Sequence, residues 1–238
     1  MCIRDSLSCG QRRLMRKNKV FIACDTTNIK KIKEIIKYTK TDKLEIGYKF
    51  GLEFLNSKNG RKFISSIKNK NLYGDYKNSD IPNTCLATIK AVKDLNFNYI
   101  TIHTKCGLDA LKAAKRVAGK VKLIGVTTLT SLDNKSLKEI GYSGNINKVA
   151  LKQAILARKA NLDAIVCSPK EVKLVKKVFK KEIITPGIRF NSKLNDQKRV
   201  LTPKQAYKNG SDWLVIGRPI TRGNIEKNIK KLIDHLNQ

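Results

Sequence analysis

Eight short runs rich in Val, Ile, Leu and aromatic residues recur along this chain, at residues 20–24, 44–50, 72–77, 99–104, 122–129, 164–167, 182–185 and 213–216. Helical patterns fall between them: from about Asn28, after the second run through about Ile67, from Pro82, over 108–117, near 148–160, over 170–179, and from about Asn224 to the end. Pro82 suits the first turn of a helix, where its missing N–H removes no hydrogen bond. Strands that alternate with helices pair in parallel and bury both faces, which is why the runs are nearly continuously apolar. Eight such units in 238 residues predict an α/β fold, a single (β/α)8 TIM barrel. A doubly wound open sheet is the alternative. The longest connection, 189–204, is polar and reads as a candidate lid.

A barrel of this kind carries its active site at the C-terminal ends of the strands. The polar residues at those ends are Asp25, Lys49, Asp75 with Lys77, His103, Thr130, Ser168, Arg189 and Arg218. Lysine, aspartate and arginine recur there too regularly for a random surface. The third run is the richest, reading Asp75-Tyr76-Lys77-Asn78-Ser79-Asp80-Ile81-Pro82-Asn83-Thr84. In a regular strand, alternation puts Asp75 and Lys77 on one face. A lysine beside an aspartate stays protonated, because the opposite charge favours its ionised form. Such a pair can stress an anionic substrate and then deliver a proton. Each residue taken singly has a plainer explanation. Asp25 or Thr26 is a helix N-cap, Lys49 a snorkelling surface lysine, Gly217-Arg218-Pro219 a turn, and Asp75 to Asp80 a surface salt-bridge cluster. His103 reads as a structural strand-end residue. Joint order and spacing favour a site.

The pattern Asp-x-Lys-x-x-Asp-Ile-Pro-Asn-Thr resembles the signature of the orotidine 5'-phosphate decarboxylase family, in its bacterial form. The resemblance runs from Val20 onward and has four further segments: Ala23-Cys24-Asp25, Tyr48-Lys49-Phe50-Gly51-Leu52-Glu53, Thr185-Pro186-Gly187-Ile188-Arg189 with Asp196-Gln197-Lys198-Arg199, and Ile216-Gly217-Arg218-Pro219-Ile220. It implies a carboxy-lyase of pyrimidine biosynthesis that converts orotidine 5'-phosphate to UMP and CO2. Lys49, Asp75, Lys77 and Asp80 then form an alternating charge network, in which Lys77 stabilises and protonates the C6 carbanion. Asp80 reaches across a homodimer interface into the neighbouring site. The resemblance assigns the ribose to Asp25, and further substrate contacts to Ile81, Thr84, Pro186 and Thr130, with Thr127 or Thr128 as alternatives to Thr130. Arg189, Gln197, Gly217 and Arg218 receive the phosphate. No cofactor and no metal are implied. The chain has no thiamine, pyridoxal or metal-cluster motif to suggest one, so fixed electrostatics must stabilise the carbanion.

Two other functions share parts of this pattern. A sugar-phosphate decarboxylase or aldolase of the same barrel group shares Asp-x-Lys-x-x-Asp but lacks Ile-Pro-Asn-Thr with the Gly-Ile-Arg and Asp-Gln segments. The formal net charge of +31 raises nucleic-acid binding, but the lysines are spread over every helix with no aromatic-interleaved basic tract. No nucleic-acid partner is expected. No apolar run approaches the ~20 residues that span a membrane, and no signal-peptide core follows the early arginines, so the expectation is a soluble cytoplasmic protein. Cys2, Cys9, Cys24, Cys85, Cys106 and Cys167 show no Cys-x-x-Cys pairing and only His103 and His235 accompany them, which speaks for free thiols and against zinc. The opening Met-Cys-Ile-Arg-Asp-Ser is what the DNA ATG TGT ATA AGA GAC AG encodes, a sequence resembling a transposon-end adapter. Residues 1–14 are therefore expected to be a non-native or disordered extension, with the barrel domain at 15–238.

Overall fold

Phe21, Tyr73, Tyr99 and Trp213 come from four separate strands and meet inside one ring. Phe21 stacks on Trp213 at 4.1 Å between ring centroids and takes Tyr73 and Tyr99 edge-on at 5.2 and 5.3 Å. The ring is a closed barrel of eight parallel strands in sequential order, seen in a computed structural model that describes residues 17–68, 70–190 and 201–237. The strands are β1 (Asn18–Ala23), β2 (Leu44–Phe50), β3 (Asn71–Asn78), β4 (Tyr99–His103), β5 (Lys122–Val126), β6 (Ala164–Val166), β7 (Glu182–Thr185) and β8 (Trp213–Ile216). The helices are α1 (Ile29–Tyr38), α2 (Leu52–Leu55), α3 (Gly60–Ser66), α4 (Pro82–Ala91), α5 (Leu108–Val117), α6 (Asn134–Glu139), α7 (Ile146–Lys159), α8 (Val172–Val178), α9 (Pro203–Lys208), α10 (Arg218–Thr221) and α11 (Ile225–Asn237). The expected barrel is thus the observed one.

Period-two alternation sorts the strand residues into two cores. Phe21, Ala23, Tyr73, Tyr99, Ile124, Ala164, Ile184, Trp213 and Val215 fill the barrel. Val20, Ile22, Leu72, Ile100, Ile102, Leu123, Ile165, Ile183, Leu214 and Ile216 point outward and pack with the apolar faces of the helices. On β2 the inward position beside Phe21 is Gly47, matched to it in register. A methyl group there would lie 2.5 Å from the Phe21 ring and 2.8 Å from the Asn71 carbonyl oxygen. The bulky ring and the missing side chain are one packing solution. Below this plug, Tyr99 Oη donates to Glu182 at 2.8 Å and Lys122 pairs with Glu182 at 2.8 Å, closing the N-terminal end with polar contacts.

Several boundaries differ from the sequence expectation. The fifth run ends at Val126 rather than 129, because its neighbour β6 is only three residues long and offers Thr127 its last ladder acceptor, the Val166 carbonyl. Helices α6, α9 and α10 fall in stretches read as polar connections or turns. Asn28, not Asp25 or Thr26, caps α1, its Oδ1 accepting from the Lys31 N–H. The candidate lid is pinned at its base by an isolated bridge between Ile188, just before it, and Leu201, and it includes the start of α9; residues 191–200 within it lie outside the described residues. So does the expected extension at 1–14. Cys24, Cys85 and Cys167 are buried and Cys106 half-buried, all four as free thiols.

Candidate active site

Above the aromatic plug, the inward rows of β1, β2 and β3 end on charged groups and that of β8 on a glycine. On β1 the row runs Phe21, Ala23, Asp25; on β2, Gly47, Lys49; on β3, Tyr73, Asp75; on β8, Trp213, Val215, Gly217. Side chains two apart share a face, so a strand that contributes to the plug must also contribute to the mouth. The mouth is a cavity of about 660 Å³. Asp25, Lys49, Asp75, Lys77, Thr130, Pro186, Arg189, Gly217 and Arg218 all line it, together with Thr26, Lys31, Thr128, Leu129, Gly187, Thr221 and Arg222.

The charged groups are linked in series. Lys49 Nζ lies 2.8 Å from Asp25 Oδ1 and 3.7 Å from Asp75 Oδ2, and Lys77 Nζ lies 2.6 Å from the same Asp75 oxygen. Asp75 is buried while Asp25 is largely exposed. Burial pulls the Lys49 pKa down, but the Asp75 and Asp25 carboxylates more than offset it, so the ammonium ends above its ordinary value. One buried carboxylate therefore serves two ammonium groups. Such an arrangement holds two ammonium groups in fixed places at the cavity wall, where one of them can stabilise an anion forming beside it.

The route by which Lys77 meets Asp75 differs from regular alternation. β3 and β4 pair at Gly74↔Ile100 and next at Asn78↔Ile102, so β3 is bulged between these points. Lys77 adopts φ 48°, a left-handed conformation uncommon outside glycine. The two side chains share the mouth because of the bulge, not because of an even pleat.

Asp80, Ile81 and Thr84 do not line the cavity. They are exposed where β3 runs into α4, with Ile81 66% accessible. The Asp80 carboxylate accepts from the Ile81 N–H at 2.7 Å, and the Asp80 carbonyl accepts from the Cys85 thiol. Of the three threonines after β5, Thr127 Oγ1 donates to the Val166 carbonyl and lies off the cavity, Thr128 Oγ1 donates to Gln153 Oε1, and Thr130 lines the cavity half-exposed. Ser168 is buried, its N–H donating to Glu171, and is not among the residues lining the mouth. His103 is buried beside the network without lining it; burial, then the nearby Lys105 and Lys77 charges, lower its pKa to about 4. Gln197 lies outside the described residues. Among the described residues, no group of three or more His, Cys, Asp or Glu could hold a metal ion.

Thr101 was missed by the sequence reading. It is wholly buried on β4, accepts from the Lys77 N–H at 2.8 Å and donates to Asp75 Oδ1 at 3.1 Å. The available signal was alternation along 99–103, which turns Tyr99, Thr101 and His103 inward.

Comparison with known proteins gives the same answer from a separate direction. Residues 18–231 match the family described as Orotidine 5'-phosphate decarboxylase / HUMPS family. The Orotidine 5'-phosphate decarboxylase of Wolbachia sp. subsp. Brugia malayi is 38% identical over 223 residues, covering 91% of this chain and 97% of that protein. That of Sphingopyxis alaskensis is 42% identical over 183 residues, covering 75% and 81%. The crystal structure of Orotidine 5'-phosphate decarboxylase from Lactobacillus acidophilus superposes with a TM-score of 0.79 at 29% identity, covering 93% of this chain and all of that one. The barrel, the lysine–aspartate series at its mouth and these relatives agree: the chain belongs to the orotidine 5'-phosphate decarboxylase / HUMPS family.

Proposed function

We propose that this protein is an orotidine 5'-phosphate decarboxylase, a carboxy-lyase converting orotidine 5'-phosphate to UMP and CO2. The observation that carries the reading is the single buried Asp75 carboxylate between the Lys49 and Lys77 ammonium groups at the cavity wall. The bond from C6 to the carboxylate breaks with its electron pair left on C6, and CO2 departs. The pyrimidine cannot delocalise that pair well, so the adjacent Lys77 ammonium stabilises it and then donates its proton to C6. Asp75 keeps Lys77 charged and oriented. Lys49 holds Asp25, which takes the ribose, in the same series.

The phosphate end of the substrate belongs on the arc of the mouth that follows β7 and β8. Arg189 and Gly187 after β7 and Gly217 with Arg218 after β8 line that arc, and Gln197 completes the grip in our assignment. Pro186 and Thr130 border the base. Binding energy gathered at the remote phosphate lowers the barrier at C6 if it is spent on organising the site. Asp80, Ile81 and Thr84 serve the site of a second copy in a homodimer; their exposure on one face, outside their own cavity, supports this. The working enzyme is thus a cytoplasmic homodimer whose catalytic domain spans 15–238 and whose chemistry requires no cofactor.

The test is direct. The purified protein is incubated with orotidine 5'-phosphate, and loss of the orotate absorbance is followed with and without excess chelator. Turnover that is indifferent to chelator is expected. No turnover, or turnover that chelator abolishes and a divalent metal restores, would replace this reading with the sugar-phosphate branch of the family.

A further inference from the structure

We propose that Thr101 is a positioning residue for the catalytic charge network and acts through its hydroxyl. The proposal rests on the decarboxylase reading for its kinetic consequences, but its geometric basis stands apart from it. Between the paired positions Gly74↔Ile100 and Asn78↔Ile102, β3 carries Asp75, Tyr76 and Lys77 while β4 carries only Thr101. The chain absorbs the surplus by placing Lys77 at φ 48°. Strain of this kind persists only where the surroundings over-determine it. A bulge also breaks the ladder, leaving backbone N–H groups in need of other acceptors.

Thr101 Oγ1 supplies that acceptor. It takes the Lys77 N–H at 2.8 Å and passes its own hydrogen to Asp75 Oδ1 at 3.1 Å. The other oxygen of Asp75 is the one that faces Lys77 Nζ and Lys49 Nζ. One hydroxyl therefore fixes both members of the central ion pair, the lysine by its backbone and the aspartate by its carboxylate. Thr101 is fully buried, so a lost contact there is not readily replaced by bulk solvent. A hydroxyl is required because it donates and accepts at once. Valine has the same shape and does neither. Without the hydroxyl the part-buried Lys77 N–H loses its partner, the bulge loses its tether, and Asp75 gains freedom to rotate. Arg189 and Arg218, which follow β7 and β8, are untouched by the change, so substrate should still bind.

Three variants isolate the hydroxyl: Thr101→Val, Thr101→Ala and Thr101→Ser. A displacement near 1 Å of reacting groups costs on the order of 100-fold, so kcat for Val and Ala is expected to fall roughly 10- to 100-fold. KM should move by less than about threefold, and Ser should stay within about threefold of wild type in both, the pattern of an interaction made chiefly in the transition state. Equal losses in Ser and Val, a loss confined to KM, or a Val protein as fast as wild type would overturn the proposal. Should Val not fold, the Ser–Ala difference decides alone. Wild type inactive on orotidine 5'-phosphate would overturn the functional reading instead. The crystal structure of Thr101→Val, or of Thr101→Ala, then settles the positioning role without turnover: Lys77 is expected to leave its left-handed conformation and part from Asp75. An unchanged bulge and ion pair would sink it.

Discussion

Lys77 combines three features rarely found together: a charged side chain, a left-handed backbone and a carboxylate at 2.6 Å. In our assignment Lys77→Ala removes both the proton donor and a charge beside the carbanion. General acid catalysis accounts for about 10²–10⁴-fold and one electrostatic stabiliser for about 10²–10³-fold, so kcat should drop by at least roughly 10³-fold. UMP binding, measured by calorimetry, should change far less, because the arginines across the mouth remain. Comparable losses in kcat and UMP affinity would move Lys77 from chemistry to binding. His103 offers a different test. Burial holds its imidazole neutral in the fold, with a pKa near 4, whereas an unfolded histidine titrates near 6.5. Between those values the unfolded chain binds a proton that the folded chain refuses, so stability falls as pH drops from about 6.5 toward 4. Urea melts across that window should show a shallower decline for His103→Gln than for wild type. Identical slopes would mean that His103 is not held neutral.

Strands were the legible elements, and short helices were not. β2, β7, β8 and α5 have the boundaries that apolar runs and punctuation set, because a strand buried on both faces leaves an unbroken apolar signature. α6 and α10 have six and four residues, too few for a 3.6-residue period to declare itself. α9 carries a capping box between Thr202 and Gln205 and Pro203 at its first position, a signal present in the sequence but overlooked inside a connection read as a lid. The bulge in β3 had no such signal. It arises from the mismatch between two neighbouring strands, which no single segment records. Packing between elements gives its own test at Gly47. A methyl group there meets the Phe21 ring and the Asn71 carbonyl at 2.5 and 2.8 Å, and the backbone oxygen cannot move aside cheaply. Gly47→Ala should destabilise the barrel by about 1–3 kcal/mol, as overpacking typically does, seen as a lower urea midpoint at unchanged slope. A midpoint equal to wild type would show that the plug has slack.

At the scale of the whole molecule, the exposed Asp80–Thr84 edge bears on the proposed homodimer. Lys77→Ala and Asp80→Ala proteins should each be nearly inactive alone. Mixed under conditions of subunit exchange, a two-fold dimer would place both lesions in one site and leave the other whole, restoring up to about a quarter of wild-type activity. No recovery after exchange has been demonstrated by mass spectrometry would confine Asp80 to its own subunit. The sequence by itself determined the number of strands, the parallel barrel and the set of chemical groups at the strand ends, because these depend on local period and on which residues follow each apolar run. The tertiary structure alone decided which of those groups meet. It brought Asp25, Lys49, Asp75 and Lys77 into one series, left Asp80, Ile81 and Thr84 outside their own cavity, and recruited Thr101, which no motif marked. Contacts of this kind are set by register between strands 24 to 26 residues apart in the chain, and register is a property of the closed barrel rather than of any one segment.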